Sequence, residues 1–214
     1  VFFFILVVLT AAVFSTAAVF SAGLGPLLDR YRYPAELLVL SGDLRLLSSP
    51  ELAEVERKGV NSRINSALGG LIWLNREWAI VSGEDLQTEA IQNLISLWDL
   101  RDYAAMKQIL MLLQKTAPLR STIFQGQRAT KSSQKDAQKL HDTLCGVCHV
   151  HNYGVSHHLP AYDLWKISSR MSEGEFLSRL LNGVRGTASN ALANPLTVSD
   201  IQGLMWLYLS RTKE

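Results

Sequence analysis

Cysteine is almost absent from this chain: 214 residues hold two, Cys145 and Cys148. With both spent in one short motif, no disulfide remains to staple the fold, so an apolar core has to hold it. Histidine is missing from residues 1–140; all five, His141, His149, His151, His157 and His158, stand in one window around the two cysteines. That window is the chemical part of the chain. A charge excess is also lacking, since 21 basic against 19 acidic residues leave +2. This is too near balance to argue for a nucleic-acid partner. Charge is missing altogether from residues 1–28, where Asp29 is the first charged residue.

The cysteines stand in the run Cys145-Gly146-Val147-Cys148-His149. Cys-x-x-Cys-His is the attachment signature of c-type haem: two thiols form thioethers with the porphyrin vinyls, and the histidine takes one axial position on the iron. Three residues on a turn let both sulfurs reach one edge of the ring and deliver the next side chain beneath the iron. A thioredoxin-like redox pair would need a βαβ pattern around the motif, and a zinc site usually needs a second ligand pair. Neither accompanies it, and the expected cofactor is one covalently attached haem c on Cys145, Cys148 and His149.

The uncharged run over 1–28 is long enough, at about 1.5 Å per residue, to cross a hydrocarbon layer about 30 Å thick. A cleaved leader has an apolar core of only about 7–15 residues. Small residues at Ala17-Ala18 and Ser21-Ala22 resemble cleavage sites, but the length favours an uncleaved transmembrane anchor. The sequence opens on Val1 rather than methionine, so residues carrying the basic flank of that anchor are expected ahead of it.

Residues 29–125 read as a helical bundle with short connections. Ser49-Pro50 has the form of an N-cap followed by proline. Leu52, Val55, Ile64, Leu68, Leu71, Ile72 and Trp78 then fall near one helical face, with Gly59 and Gly69-Gly70 as candidate interruptions. Ser82 and Asp85 resemble a capping box ahead of Ile91, Leu94, Ile95 and Trp98. Asp99 or Asp102 caps a further helix with Met106, Ile109, Leu110 and Leu113, ended by Pro118. Trp73, Trp78 and Trp98 are read as core before they are read as a groove. Having neither cysteine nor histidine, the region offers nothing for a second haem; it is expected to dock the protein to a membrane complex, and residues 119–133 read as a linker.

Beyond the linker, Ser133 and Asp136 open a helix through Ala137, Leu140 and Leu144 into the cysteine motif. Ser172 with Glu175 opens another, bearing Phe176, Leu177, Leu180 and Leu181 and ending at Gly183. Thr197 with Asp200 starts a last helix with Ile201, Leu204, Met205, Tyr208 and Leu209. Over 133–210 this order resembles the class I cytochrome c family. The resemblance implies thioethers at Cys145 and Cys148, His149 as proximal ligand, and Leu204 and Tyr208 packing the last helix on the first and on the haem. His141 stands where that family usually has an aromatic. The resemblance also implies attachment of haem outside the cytoplasm. That overrides Arg30 and Arg32, which alone argue the opposite orientation, and places the soluble part on the periplasmic side of a bacterial inner membrane.

The chain departs from the family at the distal ligand: the loop over 184–196 holds no methionine. His158 and His157, just before Leu159-Pro160, are the first candidates, and Met171 the next. Met171 before the Ser172 cap also fits a hydrophobic staple with Phe176. Met205 reads as core and His151 lies too close to His149. An open or water-ligated iron, shielded by Asn190 or Asn194, is the remaining alternative. The expected architecture is therefore all-α: a transmembrane helix over 1–28, a docking bundle over 29–125 and a cytochrome c-like haem domain over 126–214. The expected function is single-electron transfer between a redox donor and acceptor within a larger membrane complex, not catalysis by this chain alone. The alternative is a ligand-sensing or structural haem subunit with an open distal site. Lys135, Lys139, Lys166 and Arg185 are candidates for steering an acidic partner, against the commoner reading of a solvated surface.

Overall fold

The computed structural model describes residues 25–124, 131–149, 163–183 and 196–210, with 25–28, 131–133, 147 and 148 described in backbone only. Among these residues every regular element is helical. The helices are α1 (Gly25–Leu47), α2 (Glu54–Ser82), α3 (Thr88–Asp99), α4 (Tyr103–Thr116), α5 (Lys131–Leu140), α6 (Gly146–His149), α7 (Leu164–Ser168), α8 (Glu173–Asn182) and α9 (Val198–Ser210). A π-helical turn, His141–Cys145, joins α5 to α6. The all-α expectation holds.

The expected anchor lies outside the described residues except for its last four, which belong to α1. Among the described residues no helix is long and apolar enough to cross a membrane. α1 continues without a break from residue 28 into residue 29. It is the helix that the rest of the chain is built around. It packs on α2, α4 and α8, and so buries Tyr33, Ala35, Leu37, Leu40, Leu44 and Leu47 on more than one side. A helix covered this way has no clean apolar stripe, which is why the sequence pattern did not single it out. Pro34 lies inside α1 and supplies no backbone N–H to its ladder.

Helices α1 to α4 form an antiparallel four-helix arrangement, α1 against α2 and α4, and α3 against both α2 and α4. Its core joins Tyr33, Leu37, Leu40 and Leu44 to Ile64, Leu68, Leu71, Trp78, Ile91, Leu94, Met106, Leu110 and Leu113. A second core gathers Phe124, Ala137, Phe176, Leu177, Leu181, Ile201, Leu204, Leu207 and Tyr208, and Ala35 of α1 reaches into it.

Several local expectations need correction. Ser49 is no N-cap: backbone bonds from Ser48 and Ser49 close α1, and α2 begins after Ala53, whose N–H donates to Glu56 Oε2 at 3.0 Å. α2 runs through Gly59, Gly69 and Gly70 unbroken. Val55 and Ile72 face solvent, at 52% and 40% exposure. Ser82 ends a helix instead of starting one, because Gly83 takes the left-handed conformation, φ 75°, that closes α2. α5 is already running at Lys131, ahead of Ser133. The segment read as linker is anchored by Phe124, which is 1% exposed, and by Leu119 against the second core.

Other signals held. Asp102 Oδ1 accepts from the Ala105 N–H at 3.0 Å and starts α4. Thr197 and Asp200 form the reciprocal box, with Thr197 N–H to Asp200 Oδ2 at 2.8 Å and Asp200 N–H to Thr197 Oγ1 at 3.2 Å. Trp78 is core, while Trp73 is 55% exposed and Trp98 donates to Asn65 Oδ1 at 2.6 Å, so the three tryptophans do not line one groove.

Candidate functional site

The site is built at the end of α5, where the chain needs a change of helical phase. His141 is buried, and in a regular α-helix Leu144 would follow it into the core. The π turn widens the helix by one residue per turn, closing with Gly146 N–H on the His141 carbonyl. Cys145 is thereby turned partly inward, while Leu144 is left 56% exposed beside it. The expectation that Leu144 continues the buried face is overturned by this turn. An exposed leucine immediately before Cys145 offers a flat apolar group something to lie on.

α6 carries Cys148 and His149 on from there, so helical spacing brings positions 145, 148 and 149 to one side of the turn. α5 packs lengthwise on α9, which places Tyr208 beneath the motif. The Tyr208 hydroxyl lies 2.6 Å from His141 Nδ1 and is close enough to the Cys145 thiol to act on its pKa. Trp165 meets the His141 ring edge-on at 4.3 Å and the Tyr208 ring at 5.3 Å, and Phe176 meets Tyr208 at 5.4 Å. This wall of rings is packed on itself from the π turn, α7, α8 and α9.

Burial sets the protonation chemistry. Burial pushes the Cys145 thiol up from its ordinary value, and the Tyr208 hydroxyl pulls partly against it. Tyr208 is pushed strongly up, first by burial and then by its nearness to Cys145, Asp142 and Asp163. Burial lowers His149, so its imidazole is neutral with a lone pair to give. A thiol where the π turn ends and a neutral imidazole where α6 ends are the groups that haem c attachment would need of Cys145 and His149. Among the described residues, no group of three or more His, Cys, Asp or Glu side chains gathers to hold a metal ion.

His157, His158, His151, Pro160, Asn190, Asn194 and Arg185 lie outside the described residues. Met171 is half-buried against the second core, of which Phe176 is a fully buried member, consistent with the staple. Lys135, Lys139 and Lys166 are exposed.

Two features escaped the sequence reading. α7 starts at Asp163, whose Oδ1 accepts from Trp165 N–H at 2.9 Å and Lys166 N–H at 3.3 Å; an aspartate ahead of an apolar run was its signal. The other is a charged clamp between α1, α2 and α8. Asp43, 1% exposed, accepts from Arg63 through both Nε at 3.1 Å and Nη2 at 2.8 Å, and from Arg179 at 2.9 Å. Glu175 pairs with Arg179 and Arg45, each at 2.9 Å, so its carboxylate is turned to α1 while its N–H stays on Ser172 Oγ. Burial works against the Arg179 charge, but Asp43 and Glu175 outweigh it and hold its pKa above the ordinary value. Gly42 lies where a Cβ would strike the Glu175 carboxylate and the Arg179 guanidinium. The clamp ties the helix that follows the apolar N-terminal run to the element packed behind Tyr208.

No protein-family model, curated protein or solved structure matches this chain.

Proposed function

We propose that the chain is a membrane-anchored c-type cytochrome with one haem, carrying single electrons on the periplasmic side of a bacterial inner membrane as part of a larger redox complex. The observation that carries this reading is the placement of Cys145 at the end of the phase-shifting π turn and of His149 one helical turn on, at the end of α6, braced by Tyr208 of α9. When bound, haem c supplies an iron that passes between its ferric and ferrous states.

The chain's own residues do the rest. Cys145 and Cys148 would tether the ring and His149 would give its neutral nitrogen to the iron. Tyr208, His141, Trp165 and Phe176 form a close-packed backing that leaves the Cys145 end little freedom to move on electron transfer. The distal ligand remains among His158, His157 and Met171, and it separates the electron carrier from the alternative of an open-site sensor. A second strong ligand excludes exogenous molecules; histidine in place of methionine lowers the potential.

Optical and EPR spectra of the full-length protein, oxidised and reduced, test this with His157→Ala and His158→Ala in parallel. The reading expects low-spin iron that does not bind carbon monoxide, turning high-spin in one variant. A methionine–iron charge-transfer band unchanged in both variants gives the position to Met171. High-spin iron that binds carbon monoxide in the parent protein overturns electron transfer in favour of the sensor.

A further inference from the structure

α1 and α2 run antiparallel, so their contacts give a ruler along the bundle. Leu47 O of α1 accepts from Arg57, Asp43 from Arg63, and Tyr33 stacks on Trp78 with centroids 5.4 Å apart. The end of α2 therefore lies beside the start of α1. The α2–α3 loop is at the same level, since Tyr33 Oη donates to Gln87 Oε1 at 2.8 Å. So is the segment after α4, because Phe124 packs on Tyr31 with centroids 5.0 Å apart.

Each of these three elements leaves an apolar side chain in solvent at that level: Ile80 at 68%, Leu86 at 59% and Ile123 at 37% exposure. They stand at the end of the bundle where α1 begins at Gly25 and the uncharged run over 1–28 joins it. Arg30, Arg76 and Arg120, all exposed, lie near this level with long stems able to reach headgroups while their carbons stay among apolar groups. Glu84 and Asp85, beside Leu86, oppose deep insertion.

From this placement we infer that the end of the bundle around Ile80, Leu86 and Ile123 is a seat on the lipid bilayer, resting at the headgroup level of the membrane that the N-terminal run enters. The inference rests on the anchored reading above. It names the occupant as the bilayer because the uncharged run joins the fold at Gly25, at the end of the bundle where these side chains are exposed. The mixed charges around the patch make the seat shallow and independent of anionic lipid. Upright seating follows, and it lifts the opposite end of the bundle clear of the surface, Leu100 by roughly 20 Å and Val55 by roughly 35 Å.

The test uses the full-length, haem-loaded protein in phosphatidylcholine vesicles made with or without bromine atoms near the top of the acyl chains. Tryptophan is placed at the seat by Ile80→Trp or Leu86→Trp and at the far end by Val55→Trp or Leu100→Trp, and the parent emission is subtracted. All four positions are exposed, and each end has two variants. The seat predicts quenching by brominated lipid at least about twofold greater at Ile80 and Leu86 than at Val55 and Leu100. Equal quenching at both ends, or none at the seat, in protein that floats with the vesicles overturns the seat and leaves the anchor standing. Protein that does not float overturns the anchored reading and the seat together.

Discussion

The Tyr208 hydroxyl of α9 lies 2.6 Å from Nδ1 of His141, the first residue of the π turn, and acts on the thiol of Cys145, its last. Tyr208 is completely buried, so that oxygen has no water to fall back on. It fixes the attachment end of the motif to the helix that backs it.

Tyr208→Phe therefore removes a buried partner from His141 and costs about 1–3 kcal/mol of stability, read from urea unfolding. In haem-free chain carrying Cys148→Ser, it also lets the Cys145 thiol climb further, because the hydroxyl that pulled its pKa down is gone. Alkylation of Cys145 by iodoacetamide should move to higher pH in the variant. An unchanged alkylation profile would show that the hydroxyl does not act on the sulfur.

The clamp at Asp43 makes a separate prediction. Asp43→Asn leaves Arg63 and Arg179, at 18% and 12% side-chain exposure, facing a neutral amide. Breaking a buried pair by removing one partner costs about 3–5 kcal/mol, and the partial exposure of Arg63 puts this case at the lower end. Replacing Lys58, whose pair with Glu54 is exposed, should cost less than about 0.5 kcal/mol in the same unfolding assay.

At Gly42 the constraint is space. A methyl there meets the Glu175 carboxylate and the Arg179 guanidinium, so Gly42→Ala should destabilise by about 1–3 kcal/mol despite alanine's better helix propensity. Gly69→Ala, with open space around its position, should be neutral or stabilising by up to about 1 kcal/mol. Thermal unfolding of the pair tests the contrast.

This much of the molecule was legible from sequence, and its limits are physical. The boxes at Thr197 and Asp102 and the core positions of α8 and α9 could be read because capping and helical periodicity are local. The clamp could not, because Asp43 and Arg179 stand 136 residues apart and α1, covered on several sides, shows no stripe. Nor could the π turn, which shifts Leu144 outward without a proline or glycine to announce it. The cysteine motif was legible as chemistry; its bracing by Tyr208 required the packing of α5 on α9.

Alkaline pH should unfold the protein through two tyrosines, one in each core. Burial raises both Tyr33 and Tyr208 from their ordinary value of 10.0. The folded state holds those protons after the unfolded chain has released its own, so stability is intact below pH 10 and falls as pH rises beyond it. The slope is about 1.4 kcal/mol per pH unit for each tyrosine. Tyr33→Phe and Tyr208→Phe should each flatten it, whatever their effect at neutral pH. A slope unchanged in both would contradict the assignment.

The central claim is that Cys145 and Cys148 carry one haem by thioether bonds. The most direct measurement is the intact mass and pyridine haemochrome spectrum of the full-length protein, made with a periplasmic haem-attachment system and washed with acidified acetone. The account predicts a chain heavier by one haem, a spectrum of the two-thioether form that survives the wash, and loss of the two-thioether spectrum in Cys145→Ala or Cys148→Ala. An unmodified chain mass, or haem that washes away, would contradict it.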